Sequence, residues 1–145
     1  MTVHPIPPGL FCVPSALCAL TGQHPTAVIV PAINRHDRNA SLTDNVAGVH
    51  LTAAEAVLAE LGYAVRKYRH GDLRARVSTW AERSLRYPGR PLLLATTGGR
   101  RSPGHALVVA DGKIYDNHLP AGAAPRAHPF SNCLVDYAVL VEKRT

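Results

Sequence analysis

The dipeptide Asp111-Gly112 constrains the fold of this 145-residue chain more than any other feature, because it separates two short apolar runs. Asp-Gly is a preferred pair for the two-residue turn of a β-hairpin, where both positions need a positive φ. We therefore predict a hairpin with strands over residues 105–110 and 113–117. Two antiparallel strands are not stable alone, so the rest of the chain must cover or extend them.

The length of this turn decides which side chains share a face of the hairpin. With a two-residue turn, His105 and Asp116 lie diagonally on one face, and His118 lies opposite His105. A three-residue turn would place Asn117 opposite His105 instead. The Asp-Gly pair favours the first register, so we expect Asp116 beside His105.

Helical patterns precede most of the strand patterns along the chain. Pro14 and Gly22 suit the first turn and the end of the first helix. Pro31 is expected to kink or divide the second, and Thr52 and Glu55 form a capping box for the third. The patterns predict helices over residues 12–22, 25–34, 52–62 and 72–86, and strands over 63–68, 91–97, 105–110, 113–117 and 134–141. This order predicts an α+β fold with N-terminal helices packed on a mainly antiparallel sheet. In the fourth helix Leu73, Val77, Trp80 and Leu85 are expected to form the buried face.

Composition limits the classes of protein that need to be considered. Hydrophobic residues make up 46% and charged residues 18% of the chain, which is typical of a single globular domain over residues 1–145. No apolar stretch is long enough for a membrane span and no secretory signal is recognisable, so we expect a cytoplasmic protein without a membrane partner. Three cysteines suggest free thiols rather than a disulfide framework.

The net charge of +6 predicts a basic surface that attracts acidic protein or, weakly and without sequence preference, nucleic acid. The eight histidines lack the spacing of a closed zinc site, so we predict no metal and no cofactor. Apart from His4, His105 and His118, the histidines, His128 among them, are interpreted as exposed loop residues.

Cys12 stands where the first predicted helix begins. A helix N-terminus and a neighbouring imidazolium both lower the pKa of a thiol and so make it a nucleophile. The chain supplies a histidine and then an acid or amide far downstream, in the order Cys, His, Asp/Asn. Cys12, His105 and Asp116 are therefore the candidate catalytic residues, with Asn117 and His118 as secondary candidates.

These segments resemble the small papain-like cysteine peptidase domains of bacteria and their phages. The likeness rests on Cys12 at a helix start and on the stretch Gly-His-Ala-Leu-Val-Val-Ala-Asp-Gly-Lys-Ile-Tyr-Asp over residues 104–116. It implies a papain-like fold in which Cys12 is the nucleophile and His105 the base. The family usually has a Gln before the nucleophile to hold the oxyanion, and this chain has none there. His4, or the backbone N–H groups of Cys12 and Val13, are the alternatives.

The sequence thus predicts a thiol hydrolase that cleaves an amide bond in a peptide or protein substrate. This amide bond is a peptide bond or an isopeptide bond. Two alternatives remain open: a non-enzymatic binding module on the same fold with a vestigial triad, and a basic nucleic-acid-binding protein. Arg100 and Arg101 precede His105 in a basic loop and are predicted to bind an acidic substrate. The oligomeric state is left open.

Overall fold

The computed structural model describes residues 2–37, 49–68, 75–96 and 104–144. The helices within these residues are α1 (Cys12–Thr21), a π-helical turn (Pro25–Ile29), α2 (Val30–His36), α3 (Leu51–Glu60) and α4 (Val77–Ser84). The strands are β1 (Tyr63–Lys67), β2 (Leu92–Thr96), β3 (Ala106–Ala110), β4 (Lys113–Tyr115) and β5 (Val135–Lys143). They form one sheet in the order β1-β5-β2-β3-β4, and every neighbouring pair is antiparallel. The predicted α+β class with an antiparallel sheet is confirmed.

The sheet is covered on both faces by separate apolar clusters. Alternate residues of each strand point to opposite faces, so Val108 packs with α1, α2 and α3 on one face, whereas Leu107 and Val109 pack with α4 on the other. Helix α1 lies against β3, and its Ala16 and Leu20 are buried as expected. This packing brings the first residue of α1 to the beginning of β3.

The hairpin between β3 and β4 has the predicted two-residue turn. Asp111 has a φ of 50° and Gly112 a φ of 79°, and Ala110 pairs with Lys113. The turn is anchored to the end of α4 by Ser84, whose hydroxyl oxygen accepts a hydrogen bond from the Gly112 N–H at 2.8 Å. That hydroxyl itself donates to the Ala81 carbonyl at 2.6 Å. Helix α4 therefore holds the turn that sets the register of the hairpin.

The third helix differs from the sequence prediction at its start. Helix α3 begins at Leu51 with His50 as the extended N-cap residue, and His50 makes no side-chain cap hydrogen bond. The capping-box prediction was wrong, because Thr52 lies inside the helix and cannot adopt the extended cap conformation. Glu55 instead lies 3.6 Å from the Lys67 ammonium group. The second helical segment changes from π-helix to α-helix between Ile29 and Val30, next to Pro31, without a gap between the two.

The last helix and the hairpin are shorter than predicted. Helix α4 ends at Ser84, and Leu85 is 63% exposed rather than part of the buried face. Leu85 lies over the turn, where a Cβ on Gly112 would collide with it. Strand β4 ends at Tyr115, so Asp116 lies in the turn that follows the strand. The predicted positions of Leu73, of the start of this helix and of the loop over residues 98–103 lie outside the described residues.

No single helix of the described segments is long and apolar enough to cross a membrane. By length and composition alone, Cys12–Thr21 and Pro25–His36 pass such a test as a pair, with a bend of 105° at the break between them.

Replacing Ser84 with Ala should destabilise the fold by about 1–3 kcal/mol, because the buried N–H of Gly112 would lose its acceptor. Urea denaturation followed by circular dichroism measures this loss. A change in the free energy of unfolding below about 0.5 kcal/mol would show that the contact between α4 and the hairpin turn is dispensable.

Thr52→Ala is the matched control. Thr52 is exposed inside α3. The free energy of unfolding of the Thr52→Ala variant should therefore differ from that of the wild type by less than about 0.5 kcal/mol. A loss of about 1 kcal/mol would indicate that Thr52 caps the helix after all.

Candidate active site

Cys12 is the first residue of α1, directly after the extended Phe11 (φ −72°, ψ 171°). The first hydrogen bond of the helix runs from the Ser15 N–H to the Phe11 carbonyl at 3.0 Å. The N–H groups of Cys12 and Val13 therefore precede the hydrogen-bonded turns, at the positive end of the helix dipole. This position favours a negative charge on the Cys12 sulfur.

His105 stands immediately before β3 and is held by the end of β2. Its N–H donates to the Thr96 hydroxyl at 3.2 Å, and its carbonyl accepts from the Thr96 N–H at 2.9 Å. The preceding Gly104 passes so close to this strand that a Cβ would lie 2.9 Å from the Thr96 carbonyl oxygen. The Gly-His pair is explained by this close approach, because a larger residue would push His105 away from β2.

Asp116 follows β4 and is fully buried, and its carboxylate gathers donors on both oxygens. Oδ2 accepts from His105 Nε2 at 2.6 Å. Oδ1 accepts from the backbone N–H groups of His118 at 3.0 Å and Leu119 at 2.9 Å. The two-residue turn therefore produces the predicted neighbour, and Asp116 rather than Asn117 contacts His105.

Two further residues, both from the segment between β4 and β5, complete the surroundings of the His105–Asp116 pair. The Phe130 ring stacks on the His105 ring, with centroids 4.3 Å apart and planes inclined by 11°. His128 is buried, and its Nε2 lies 2.9 Å from Asp116 Oδ1. The Phe130 N–H donates to His128 Nδ1 at 3.0 Å, which leaves Nε2 as the protonated nitrogen that faces Asp116.

The thiol of Cys12 reaches His105 around the end of the sheet. Cys12 packs against the apolar cluster on the α1 face, whereas Phe130, on which His105 stacks, packs against the cluster on the α4 face. The Cys12 side chain hydrogen-bonds with the His105 ring and with the Ala106 N–H. Because Nε2 is bound to Asp116, Nδ1 is the ring nitrogen left for Cys12.

The proton affinities of the pair are shifted in opposite directions. Burial raises the pKa of the Cys12 thiol, but the hydrogen bonds with His105 and Ala106 and the charge of His105 bring the pKa below its ordinary value of 9.0. Burial lowers the pKa of His105, yet its hydrogen bonds with Asp116 and Cys12 raise that pKa from 6.5 to about 9. Both shifts favour a thiolate on Cys12 beside an imidazolium on His105.

The carboxylate that supports this charge pair stays ionised. Burial raises the pKa of Asp116, but hydrogen bonds from His105, His128 and the Leu119 N–H hold that pKa well below its ordinary value. Cys18 provides a contrast on the same helix, because burial without partners raises its pKa to about 11. The activation of Cys12 is therefore local to the beginning of α1.

The structure brings most of the predicted site residues together. Cys12, His105 and Asp116 form one hydrogen-bonded series, Val13 lies at the same helix end, and the ring centroid of exposed His118 lies 5.4 Å from that of His105. Asn117 forms no hydrogen bond with the His105 side chain, and no described residue donates a hydrogen bond to its buried amide oxygen. Arg100 and Arg101 lie outside the described residues.

His4 is not brought to the site. Its N–H donates to the Ala19 carbonyl at 2.8 Å, and its ring lies against Gly22. Both contacts are at the C-terminal end of α1, about 10 Å or more from Cys12 at the rise of an α-helix. The prediction of His4 as an oxyanion donor has no support in this geometry, since the N-terminal segment runs antiparallel to α1 before turning into it.

Sequence reasoning missed two contributors to the site. His128 was predicted to be an exposed loop residue, which is wrong because it is 4% exposed and contacts Asp116. Phe130 was not considered at all. Both lie in an irregular segment with no periodicity, so only the histidine and the aromatic ring themselves could have served as a signal.

The same side chains offer a group of potential metal ligands. One ligand atom from each of His105, Asp116 and His118 lies within 4.8 Å of the others. A metal ion there would have to replace the 2.6 Å hydrogen bond between His105 and Asp116. The prediction of no metal came from spacing along the chain, which does not register ligands brought together by a hairpin and the turn after it.

Comparisons with known proteins were made by family model and by sequence. No family model matches the chain, and no curated protein is significantly similar to it.

Iodoacetamide should modify Cys12 with an apparent pKa below the ordinary 9.0 and should modify Cys18 about a hundredfold or more slowly at neutral pH. The reason is that His105 stabilises the thiolate of Cys12, whereas burial disfavours that of Cys18. Mass spectrometry of the labelled peptides as a function of pH measures both rates.

In the His105→Ala variant the apparent pKa of Cys12 should rise, since the imidazolium partner is lost. His36→Ala is the matched control, because His36 is paired with Glu60 on the surface, and it should leave the profile unchanged. Equal labelling of Cys12 in the wild type and in His105→Ala would contradict the ion pair.

Proposed function

We propose that this chain is a papain-like thiol hydrolase that cleaves amide bonds through Cys12, His105 and Asp116. The observation that carries the proposal is the hydrogen-bonded series from the Cys12 thiol through His105 to the buried Asp116. A helix N-terminus packed against an antiparallel sheet that presents a histidine and an acid is the arrangement the resemblance implies. The papain-like fold is part of this proposal.

The first half of the reaction forms an acyl-enzyme. The Cys12 thiolate attacks the carbonyl carbon of the substrate, and the carbonyl electrons move to its oxygen. When this oxyanion collapses, the C–N bond breaks, and the His105 imidazolium gives its proton to the leaving nitrogen. An amine leaves and a thioester to Cys12 remains.

The second half returns the enzyme to its starting state. Neutral His105 accepts a proton from water while the water oxygen attacks the thioester carbon. The C–S bond breaks, a carboxylic acid leaves, and Cys12 is again a thiolate beside the His105 imidazolium. Asp116 keeps its charge throughout and holds the ring so that one nitrogen faces the sulfur.

The oxyanion would be held by backbone groups at the start of α1. The N–H groups of Cys12 and Val13 lie there, outside the intrahelical hydrogen bonds. With no Gln before Cys12 and with His4 at the far end of the helix, these amides would act without the usual side-chain donor. One missing donor typically costs about 10²–10³ in turnover, so we propose a slow enzyme or one for activated acyl groups.

The substrate we propose is a peptide or protein with an amide or isopeptide bond. The side chain of His105 is 12% exposed and Cys12 is half-buried, so an extended acyl group can approach past the exposed His118 and Phe11. Binding of acidic segments by Arg100 and Arg101 stays a prediction. The three free cysteines support a reducing compartment such as the cytoplasm.

Wild-type protein incubated with activated acyl esters and peptide thioesters should form an acyl adduct on Cys12 and release it on standing. Intact-mass and peptide mass spectrometry detect the adduct. Cys12→Ala should abolish adduct and turnover, and Cys133→Ala, at the other half-buried free thiol, should leave both unchanged. A correctly folded wild type that forms no adduct with any acyl donor would overturn the proposal in favour of a binding module with a vestigial triad.

Variants of two neighbouring residues, Asp116 and Asn117, test which of them is the third member of the triad. Asp116→Ala should slow turnover by about 10²–10⁴, whereas Asn117→Ala should change it by less than about threefold. Asp116→Asn keeps the shape of the buried side chain and removes its charge. The pKa of His105 should then fall. As the pH is raised, the imidazolium should lose its proton, and the enzyme its activity, at a lower pH than in the wild type. The opposite ranking of Asp116 and Asn117 would contradict the assigned triad.

A further inference from the structure

A second concave site lies on the α4 face of the sheet and shares no residue with the Cys12–His105–Asp116 site. It is a cavity of about 460 Å³ between α4, the turn that follows it, and strands β1, β5 and β2. This volume is in the range of small-molecule sites.

The cavity exists because α4 is short and lies over only one half of this face of the sheet. Helix α4 packs over β3 and β4, so the β1 and β5 half of that face is not covered by any helix among the described residues. Arg66 of β1 is paired with Leu140 of β5, and paired residues point to the same face. An arginine therefore stands on the uncovered half of a sheet whose other half is apolar.

The walls of the cavity carry positive charge. Arg66, Arg83 and Arg90 line it together with Lys67, and none of the described residues that line it is acidic. Lys67 is paired with Glu55 at 3.6 Å, whereas the ion pairs formed within the described residues include none of the three arginines. Arginines that line one cavity are suited to bidentate recognition of phosphate, because the guanidinium group matches the geometry of phosphate oxygens.

The Trp80 side chain forms part of the cavity wall. It is 3% exposed, and its indole nitrogen is buried without a hydrogen-bond partner among the described residues. Because that nitrogen is closed off from the cavity as well, Trp80 offers a ligand apolar ring surface rather than a hydrogen-bond donor.

Aromatic rings form the remaining walls. Tyr68 meets Trp80 edge to face, with ring centroids 5.0 Å apart, and it is 38% exposed. Tyr87 is 56% exposed, so both tyrosines have ring surface available to a planar group. The Arg83 guanidinium lies 5.9 Å over the Trp80 ring.

From these walls we propose that the cavity binds a nucleotide-sized ligand that combines phosphate groups with a planar ring. The phosphates lie among Arg66, Arg83 and Arg90, and the ring stacks on Tyr68 or Tyr87. This site stands whether or not Cys12 is catalytic, because the two sites share no residue.

The binding experiment uses the single tryptophan of the chain as its reporter. ADP added to the full chain should change the Trp80 emission saturably, and equilibrium dialysis with labelled ADP should give the same dissociation constant. Adenosine and pyrophosphate should each bind more weakly than ADP, because each carries only one of the recognised groups.

Arg83→Gln and Arg66→Gln should each weaken ADP binding about tenfold or more, since each removes a charge-assisted contact with phosphate. Arg126→Gln removes the same charge from an exposed arginine outside the cavity and should change the dissociation constant by less than about twofold. Circular dichroism confirms that each variant is folded. Cys12→Ala should bind ADP like the wild type.

Two results would overturn the proposal. The first is the absence of saturable ADP binding, including the case in which an acidic peptide or a single-stranded oligonucleotide binds instead. The second is equal weakening of ADP binding by Arg126→Gln and Arg83→Gln, which would show attraction to net charge rather than a built site.

Discussion

The hydrogen bond between His105 Nε2 and Asp116 Oδ2, 2.6 Å long, is the contact on which the proposed chemistry of this protein depends. It fixes the imidazole, leaves one ring nitrogen for Cys12, and places a buried negative charge behind a positive one. The other carboxylate oxygen is held by backbone N–H groups and by His128. Since these donors keep Asp116 ionised, the charge on His105 and in turn the thiolate of Cys12 are stabilised.

The fold supplies this contact through one hairpin. The Asp111-Gly112 turn sets the register of β3 and β4, and Ser84 holds the turn against α4. At the other end of β3, Gly104 and Thr96 fix the backbone of His105. The packing of α1 on β3 then brings Cys12 to the same end of the sheet. Residues from opposite faces thus meet where the strand begins.

The sequence predicted those parts of the structure that depend on local chemistry. The turn pair determined the register and therefore the choice of Asp116 over Asn117, while Pro14 and Gly22 bounded the first helix. It failed where long-range packing decides: the Thr52 cap, the exposure of Leu85 and the burial of His128. His4 was misplaced for the same reason, because nothing in a linear sequence shows which end of α1 the N-terminal segment contacts. The cavity beside Trp80 likewise becomes visible only in three dimensions.

The protonation state of His105 at neutral pH tests the central claim most directly. Nitrogen-15 NMR of the histidine side chains distinguishes a doubly protonated ring from either neutral tautomer. Both nitrogens of His105 should carry protons at neutral pH, and the ring should lose one only near its raised pKa of about 9. A His105 ring that is neutral at pH 7 and titrates near the ordinary 6.5 would contradict the thiolate–imidazolium pair.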